Sequence, residues 1–303
     1  MKITVIGSGA MGCLFGGLLT EAGQEVQLLD VWLEHVKALN ENGLSMLREG
    51  EERIIRVRAT TDPAEIRETD LALIFVKHSQ TGEAARTAVR LLGEAGHILT
   101  LQNGMGNAEI IAETAGHKRV ICGTTSQGAM LLGPGCIQHS GIGKTTIGMW
   151  DQDRQPIVDV VAEVFSAAKI ETCGADDIKP VIWSKLFANV GINAVTALTN
   201  IRNGRLLDLE VTRDLVEAVV VEAIAVARAL QVTVADDALD NVFAIAGATA
   251  TNRSSMGQDV DAHRPTEIDA INGYIVRRAG ELGIEVPVNQ SLTRLIKTLQ
   301  VHY

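Results

Sequence analysis

Apolar positions along this chain follow two periods, and the change from one to the other divides it. In the first half, runs of five or six apolar residues alternate with stretches where apolar side chains return every three or four positions. Lys2–Ile6, Glu25–Leu29 and residues 71–76, 97–101 and 119–125 read as buried parallel strands. Between them, Leu14, Phe15, Leu18 and Leu19 mark a helix ending near Gly23, and residues 32–42, 84–92 and 157–168 read as further helices. Residues 44–58 alternate irregularly and suggest edge strands or a hairpin. Residues 136–139 and Thr145–Met149 read as a hairpin around Gly141 and Gly143, and residues 170–173 as a last short strand.

Beyond Asp176 strand signals fade. A helix capped by Asp176 or Asp177 tolerates Pro180 in its first turn and continues towards Thr199. Residues 211–230 and 237–246 read as core helices, and Thr266-Glu267-Ile268-Asp269 as the opening of a last major helix that ends near Gly283. Strands alternating with helices and then helices alone predict an α/β Rossmann-type domain over residues 1–174 and an all-α domain over 175–303.

The first strand stops at Gly7-Ser8-Gly9-Ala10-Met11-Gly12, a G-x-G-x-x-G turn between strand and helix, and the second strand closes on Asp30. In such a turn the first glycine permits the tight bend, the second lets backbone approach a pyrophosphate, and the third lets the helix pack on the strand. Amides at the helix start then face the phosphates. Strand, turn, helix, strand and acid in that order point to a dinucleotide.

Composition narrows the class. Hydrophobic residues make up 46% of 303 and charged residues 21%, as in globular proteins, and no uninterrupted apolar run reaches the roughly 18 residues of a spanning helix. The expectation is a cytoplasmic protein. Cys13, Cys122, Cys136 and Cys173 form no C-x-x-C pair and lie at no metal-ligand spacing, which predicts neither metal nor disulfide. A formal charge of -10 argues against nucleic acid and anionic membrane as partners and leaves a small molecule.

Lys77 follows the third strand to the carboxyl end of the sheet, where ligands of open α/β sheets bind; it can meet phosphate or ribose there or be a solvated loop residue. Asn103, in the glycine-bearing turn Gln102-Asn103-Gly104-Met105-Gly106, reaches the same edge. In the helical half Lys185, Asn189 and Asn193 recur every fourth residue and form one polar stripe between apolar flanks. With one charge and two amides it reads as the lining of a cleft more than as a solvated face. Asn203 lies in the turn just beyond. Ser254 and Ser255 can hold a carboxylate at a helix start or simply cap it, and Glu267 in a first turn is favoured by the helix dipole in any case.

These features in this order, with Asn203-Gly204, Ser254-Ser255-Met256-Gly257-Gln258-Asp259 and Thr266-Glu267-Ile268-Asp269-Ala270-Ile271-Asn272-Gly273, make the chain resemble the ketopantoate reductase family nearly end to end. The resemblance implies the two-domain architecture of 6-phosphogluconate-dehydrogenase-like enzymes, NAD(P)H as cofactor, a 2-oxo acid as substrate and pantothenate biosynthesis as context; it leaves a homodimer open. It implies that Lys185 is the proton donor, that Asn103, Asn189, Asn193, Asn203 and Ser255 meet the substrate, and that Glu267 lies in the closed site. It also implies that Gly7, Ser8, Gly9, Ala10, Met11, Gly12, Lys77, Asn103, Ala129 and Glu267 line the cofactor. One position departs from the pattern. NADPH-dependent members place an arginine just after the second strand, whereas here Asp30 and Val31 occupy that turn, so Asp30 favours NAD(H) over NADP(H).

The implied chemistry is hydride transfer to the ketone carbon of a branched 2-oxo acid, most directly 2-dehydropantoate, with Lys185 on the ketone oxygen. Burial lowers a lysine's pKa and a neighbouring Glu267 raises it, and the sequence leaves that balance open. Two rival readings are an NAD-dependent D-2-hydroxy acid dehydrogenase of the same family and a non-catalytic nicotinamide-nucleotide-binding regulatory module. The second gives the Lys185 stripe and Glu267 no purpose.

Overall fold

β1 (Lys2–Ile6) leads through the glycine turn into α1 (Ala10–Glu21) and returns as β2 (Glu25–Leu29), parallel to β1, so the chain opens with a βαβ unit. There follow α2 (Leu33–Asn42), β3 (Leu44–Arg48), β4 (Glu51–Ile55), β5 (Arg58–Thr60), β6 (Thr69–Ile74), α3 (Thr81–Leu91) and β7 (Leu92–Thr100). Next come α4 (Asn107–Ala115), β8 (Val120–Thr125), β9 (Gly128–Gly133), β10 (Cys136–Gly141), β11 (Thr145–Met149), α5 (Pro156–Ala167) and β12 (Thr172–Gly174). This computed structural model describes residues 1–151 and 153–303.

Internal contacts gather the chain into two units, one of Met1–Gln102 with Asn107–Ile178 and one of Asn103–Gly106 with Lys179–Tyr303. Among the described residues of the first, an eight-stranded sheet runs β12-β11-β8-β7-β6-β1-β2-β5, parallel except where β11 meets β8. Its β5-β2-β1-β6-β7-β8 portion has the doubly wound order of a Rossmann fold, and the direction of strand addition reverses between β1 and β6. Phe15 of α1 anchors the core, its ring 5.0 Å from that of Phe75 and 5.7 Å from that of Phe165.

A second sheet, β4-β3-β10-β9, corrects one expectation. Residues 136–149 are not a hairpin. β10 pairs antiparallel with β9 across the Pro134-Gly135 turn and parallel with β3, whereas β11 joins the large sheet beside β8 and β12. Gly141 and Gly143 mark the passage between sheets: a Cβ on Gly143 would lie 2.5 Å from the Ser126 Cβ, so only glycine passes there. α4 gave no strong periodic signal and was not among the expected helices, since Asn107–Ala115 is short and carries half-buried Glu109 and exposed Glu113.

The second unit is helical, with α6 (Lys179–Thr199), α7 (Glu210–Ala229), α8 (Ala238–Ala248), α9 (Ser255–Asp261), α10 (Asn272–Leu282) and α11 (Pro287–Gln300). α6 is its core. By length and composition α6 could cross a membrane, yet 72% of its apolar window is buried inside the protein. It begins at Lys179, past both proposed aspartate caps. The helix expected from Thr266 is also interrupted: Ile268–Ala270 is a 3-10 turn, Ile271 breaks it at φ -105° and ψ -99°, and α10 starts at Asn272. The Ala270 carbonyl accepts the Met105 N–H at 2.8 Å instead of continuing a helical ladder. Nor is α10 the last helix, because α11 follows behind Pro287 at its first turn.

Candidate active site

In the first unit the glycine turn sits at the carboxyl ends of β1 and β6, and each glycine meets a separate demand. Gly7 has φ +91° and a Cβ there would lie 2.8 Å from Val76 Cγ1; one on Gly12 would lie 2.0 Å from the Gly7 carbonyl oxygen. Above Gly9 nothing lies within 4 Å of such a Cβ, so backbone is open to a ligand. No side chain caps α1, and its first turn carries no acid. Those amides, at the positive end of the helix dipole, suit a pyrophosphate borne over Ala10 and Met11.

Asp30 stands just past β2, fixed at both oxygens. Its Oδ2 accepts the Ser8 backbone N–H at 2.6 Å and the Ser8 hydroxyl at 3.0 Å, and its Oδ1 accepts the Trp32 N–H at 3.0 Å. Exposed Lys77 follows β6 and precedes the 3-10 turn His78–Gln80. Ala129 belongs to β9 of the smaller sheet and is half-buried against the core. Open backbone at Gly9, uncapped amides and a held carboxylate together fit a dinucleotide.

In the second unit α6 presents half-buried Lys185 and Asn189 and buried Asn193, a turn apart. Asn193 Nδ2 donates to Ser255 Oγ at 3.4 Å. Ser254 is the cap of α9, its hydroxyl accepting the Gly257 N–H at 3.1 Å, while Ser255 remains exposed. Burial pushes Lys185 down from 10.5 to about 8 even though the Glu267 carboxylate acts on it in the opposite sense. Glu267 precedes the 3-10 turn instead of sitting in the first turn of a helix, and its carbonyl accepts the N–H of Ala270 and of Ile271.

The turn bearing Asn103 is pinned to the same segment. Gly104 has φ +79° and a Cβ on it would lie 2.5 Å from the Ala270 carbonyl oxygen, so close docking requires glycine. Asn103, Lys185, Asn189, Asn193, Ser255 and Glu267 thus belong to one unit. Asn203 is held differently: its Nδ2 donates to Thr249 Oγ1 at 2.9 Å and its N–H to the Asn252 carbonyl at 3.1 Å. Its buried Oδ1 has no hydrogen-bond partner among the described residues.

Sequence reasoning missed a buried support behind these groups. Asn272 Nδ2 donates to the Val190 carbonyl at 3.4 Å and to Asn289 Oδ1 at 3.1 Å; Asn289 Nδ2 donates to Glu222 Oε2 at 2.8 Å. Glu222 also accepts the N–H groups of Val288 and Asn289. This network ties the segment after Glu267 to α6, which carries Lys185. An amide flanked by Ile271, Tyr274 and Ile275 was the available signal. Among the described residues no group of three or more His, Cys, Asp or Glu could hold a metal ion.

A doubly wound nucleotide-binding unit joined to a helical unit that carries a lysine and amides defines a nicotinamide-dependent oxidoreductase. Residues 3–152 match the family described as ketopantoate reductase PanE/ApbA, and residues 177–300 match its C-terminal domain. The chain belongs to the ketopantoate reductase family. It is 36% identical over 301 residues to a 2-dehydropantoate 2-reductase of Halobacterium salinarum, covering 99% of each chain. A 2-dehydropantoate 2-reductase of Vibrio cholerae is also 36% identical, over 99% of this chain and 98% of its own. Among solved structures, a PanE/ApbA family ketopantoate reductase from Ralstonia eutropha superposes with TM-score 0.91 at 32% identity, covering 100% of this chain and 99% of its own. D-mandelate dehydrogenase, in a ternary structure with NADH and anilino(oxo)acetate, superposes with TM-score 0.92 at 28% identity and the same coverage.

Proposed function

We propose that this protein reduces 2-dehydropantoate to the 2-hydroxy acid, with Lys185 as proton donor. The observation that carries the reading is a half-buried lysine whose desolvation brings it down to about 8, with Glu267 acting on it and amides along its helix. The nicotinamide, when bound, supplies the hydride. Lys185 then hydrogen-bonds the ketone oxygen, stabilises the charge that builds there and gives up its proton. Asn103, Asn189, Asn193, Asn203 and Ser255 hold the substrate, Glu267 keeps Lys185 protonated, and Asn103 and Glu267 also meet the cofactor. Gly7 to Gly12, Lys77 and Ala129 line the cofactor. The buried core helix and four cysteines outside any disulfide support a cytoplasmic location.

We assign NAD(H) as the preferred cofactor. A carboxylate at Asp30 accepts hydrogen bonds from ribose hydroxyls and repels a 2′-phosphate. One unit-charge pair at about 4 Å and an effective dielectric near 20 is worth roughly 4 kcal/mol, an upper figure that counterions reduce, so a preference of about tenfold or more is expected. Asp30, together with the likeness to D-mandelate dehydrogenase, supports a second reading: an NAD-dependent D-2-hydroxy acid dehydrogenase for another bulky 2-oxo acid. Turnover of a 2-oxo acid panel with NADH and with NADPH separates the two readings. Best kcat/KM on 2-dehydropantoate supports the first, best kcat/KM on a different acid the second, and no turnover at all removes both.

A further inference from the structure

Asp30 is held by a chain of buried groups that reaches well beyond its own strand. Ser8 is 0% exposed, and both of its donors go to one Asp30 oxygen, the N–H at 2.6 Å and the hydroxyl at 3.0 Å. Its carbonyl accepts the Cys13 thiol at 3.0 Å. Cys13 Sγ lies 3.4 Å from His35 Nε2, and His35 Nδ1 accepts the Gly135 backbone N–H at 3.0 Å. A ring nitrogen that accepts carries no proton, so the neutral ring has its proton on Nε2, facing the sulfur and Ser8. Burial keeps His35 below its usual pKa although Asp30 and the Ser8 carbonyl oppose it, and burial with a smaller push from Asp30 holds the Cys13 thiol well above its usual range. The chain therefore runs through neutral groups to one charge.

We infer that Ser8 is the positioning residue for cofactor selection, because its two donors stop the Asp30 carboxylate from turning away from a 2′-phosphate. A carboxylate offers about four lone-pair sites, and Ser8 with Trp32 occupies three, all on the protein side. The site left on Oδ1 serves a ribose hydroxyl. An unanchored aspartate could rotate into solvent and relieve the repulsion; this one keeps its charge in place. Ser8 has no donor left for a phosphate, so in the glycine turn it serves Asp30. Cys13 and His35 fix the Ser8 carbonyl and with it the plane of the peptide.

The inference rests on the Asp30 reading above, and the test separates the two. The ratio of kcat/KM with NADH to that with NADPH is measured for the parent, Ser8→Ala, Ser8→Cys and Asp30→Ala, with circular dichroism to confirm folding. Loss of one hydrogen bond, with the Ser8 and Trp32 N–H groups still holding Asp30, predicts that Ser8→Ala lowers the ratio by about three- to tenfold, with Ser8→Cys, a weak donor of similar size, in between. Asp30→Ala removes the preference. If Ser8→Ala, or Ser8→Cys should the alanine variant fail to fold, stays within about twofold of the parent while Asp30→Ala collapses the ratio, the inference is overturned and the Asp30 reading stands. If Asp30→Ala leaves the ratio unmoved, both are lost.

Discussion

Lys185 sets the working range of the proposed reaction. Its folded pKa of about 8 lies below the ordinary 10.5, so reduction, which needs the ammonium, loses kcat/KM as pH rises through about 8. Glu267 raises that value, so Glu267→Gln should move the alkaline limb to lower pH; a limb that stays in place would separate Glu267 from the lysine. Lys185→Ala should lose at least about 10²- to 10⁴-fold in kcat with cofactor binding retained. The same shift acts on stability. A lysine that titrates lower in the folded protein opposes folding fully below about pH 8, and the penalty fades as pH climbs towards 10.5. Asn189→Ala and Ser255→Ala should raise KM for the 2-oxo acid by the equivalent of about 1–3 kcal/mol each. Equal weakening of cofactor binding would mean that they support the fold instead.

The elements that sequence periodicity identified best were those whose burial is set within one segment. β1, α1 and β2 repeat the alternation of Lys2 to Leu29, and the α6 stripe follows from four-residue spacing alone. What periodicity missed depends on partners far along the chain. Met130 and Leu132 face solvent on a short, glycine-bounded strand, so β9 lacked a signal, and β10 was joined to the wrong neighbour. The break at Ile271 arises because the Ala270 carbonyl bonds to Met105, which no local pattern encodes. In the site, the residue types of Lys185 and Asn193 and the two opposing effects on the lysine were legible, whereas the balance between those effects and the Asn272–Asn289–Glu222 support required packing. Gly104→Ala tests the pinned turn. It forces a positive φ and a clash with the Ala270 carbonyl, with an expected loss of about 1–3 kcal/mol in stability by denaturant melting and a larger loss of activity. Unchanged stability would show that the turn yields easily.

At the scale of the whole molecule, the two units call for separate thermodynamic treatment, since a chain of this kind is not expected to unfold in one step. Cofactor binding should raise the transition of the first unit. At a free NADH concentration about 100 times its Kd the gain is about 2.7 kcal/mol, a rise of roughly 5–10 °C for a unit of this size. NADPH at the same concentration should raise it less, and equal shifts in differential scanning calorimetry would contradict the Asp30 reading. The net charge of -10 places no general attraction between protein and anionic cofactor, so recognition rests on the local amides and on Asp30.

The four-stranded sheet has a consequence for how the chain is made. β3 and β4 are adjacent in sequence, but β3 finds its second neighbour only in β10, with Ile137 opposite Met46. At about 5–20 residues per second, a nascent hairpin waits on the order of ten seconds before Cys136–Gly141 leaves the ribosome. During that interval one edge of β3 offers bare main-chain groups beside Leu44 and Met46, the kind of template that recruits another chain. Arg48, Glu51, Glu52 and Arg53, crowded at the tip of the hairpin, then act as gatekeepers, deterring intermolecular pairing until the chain's own strand arrives.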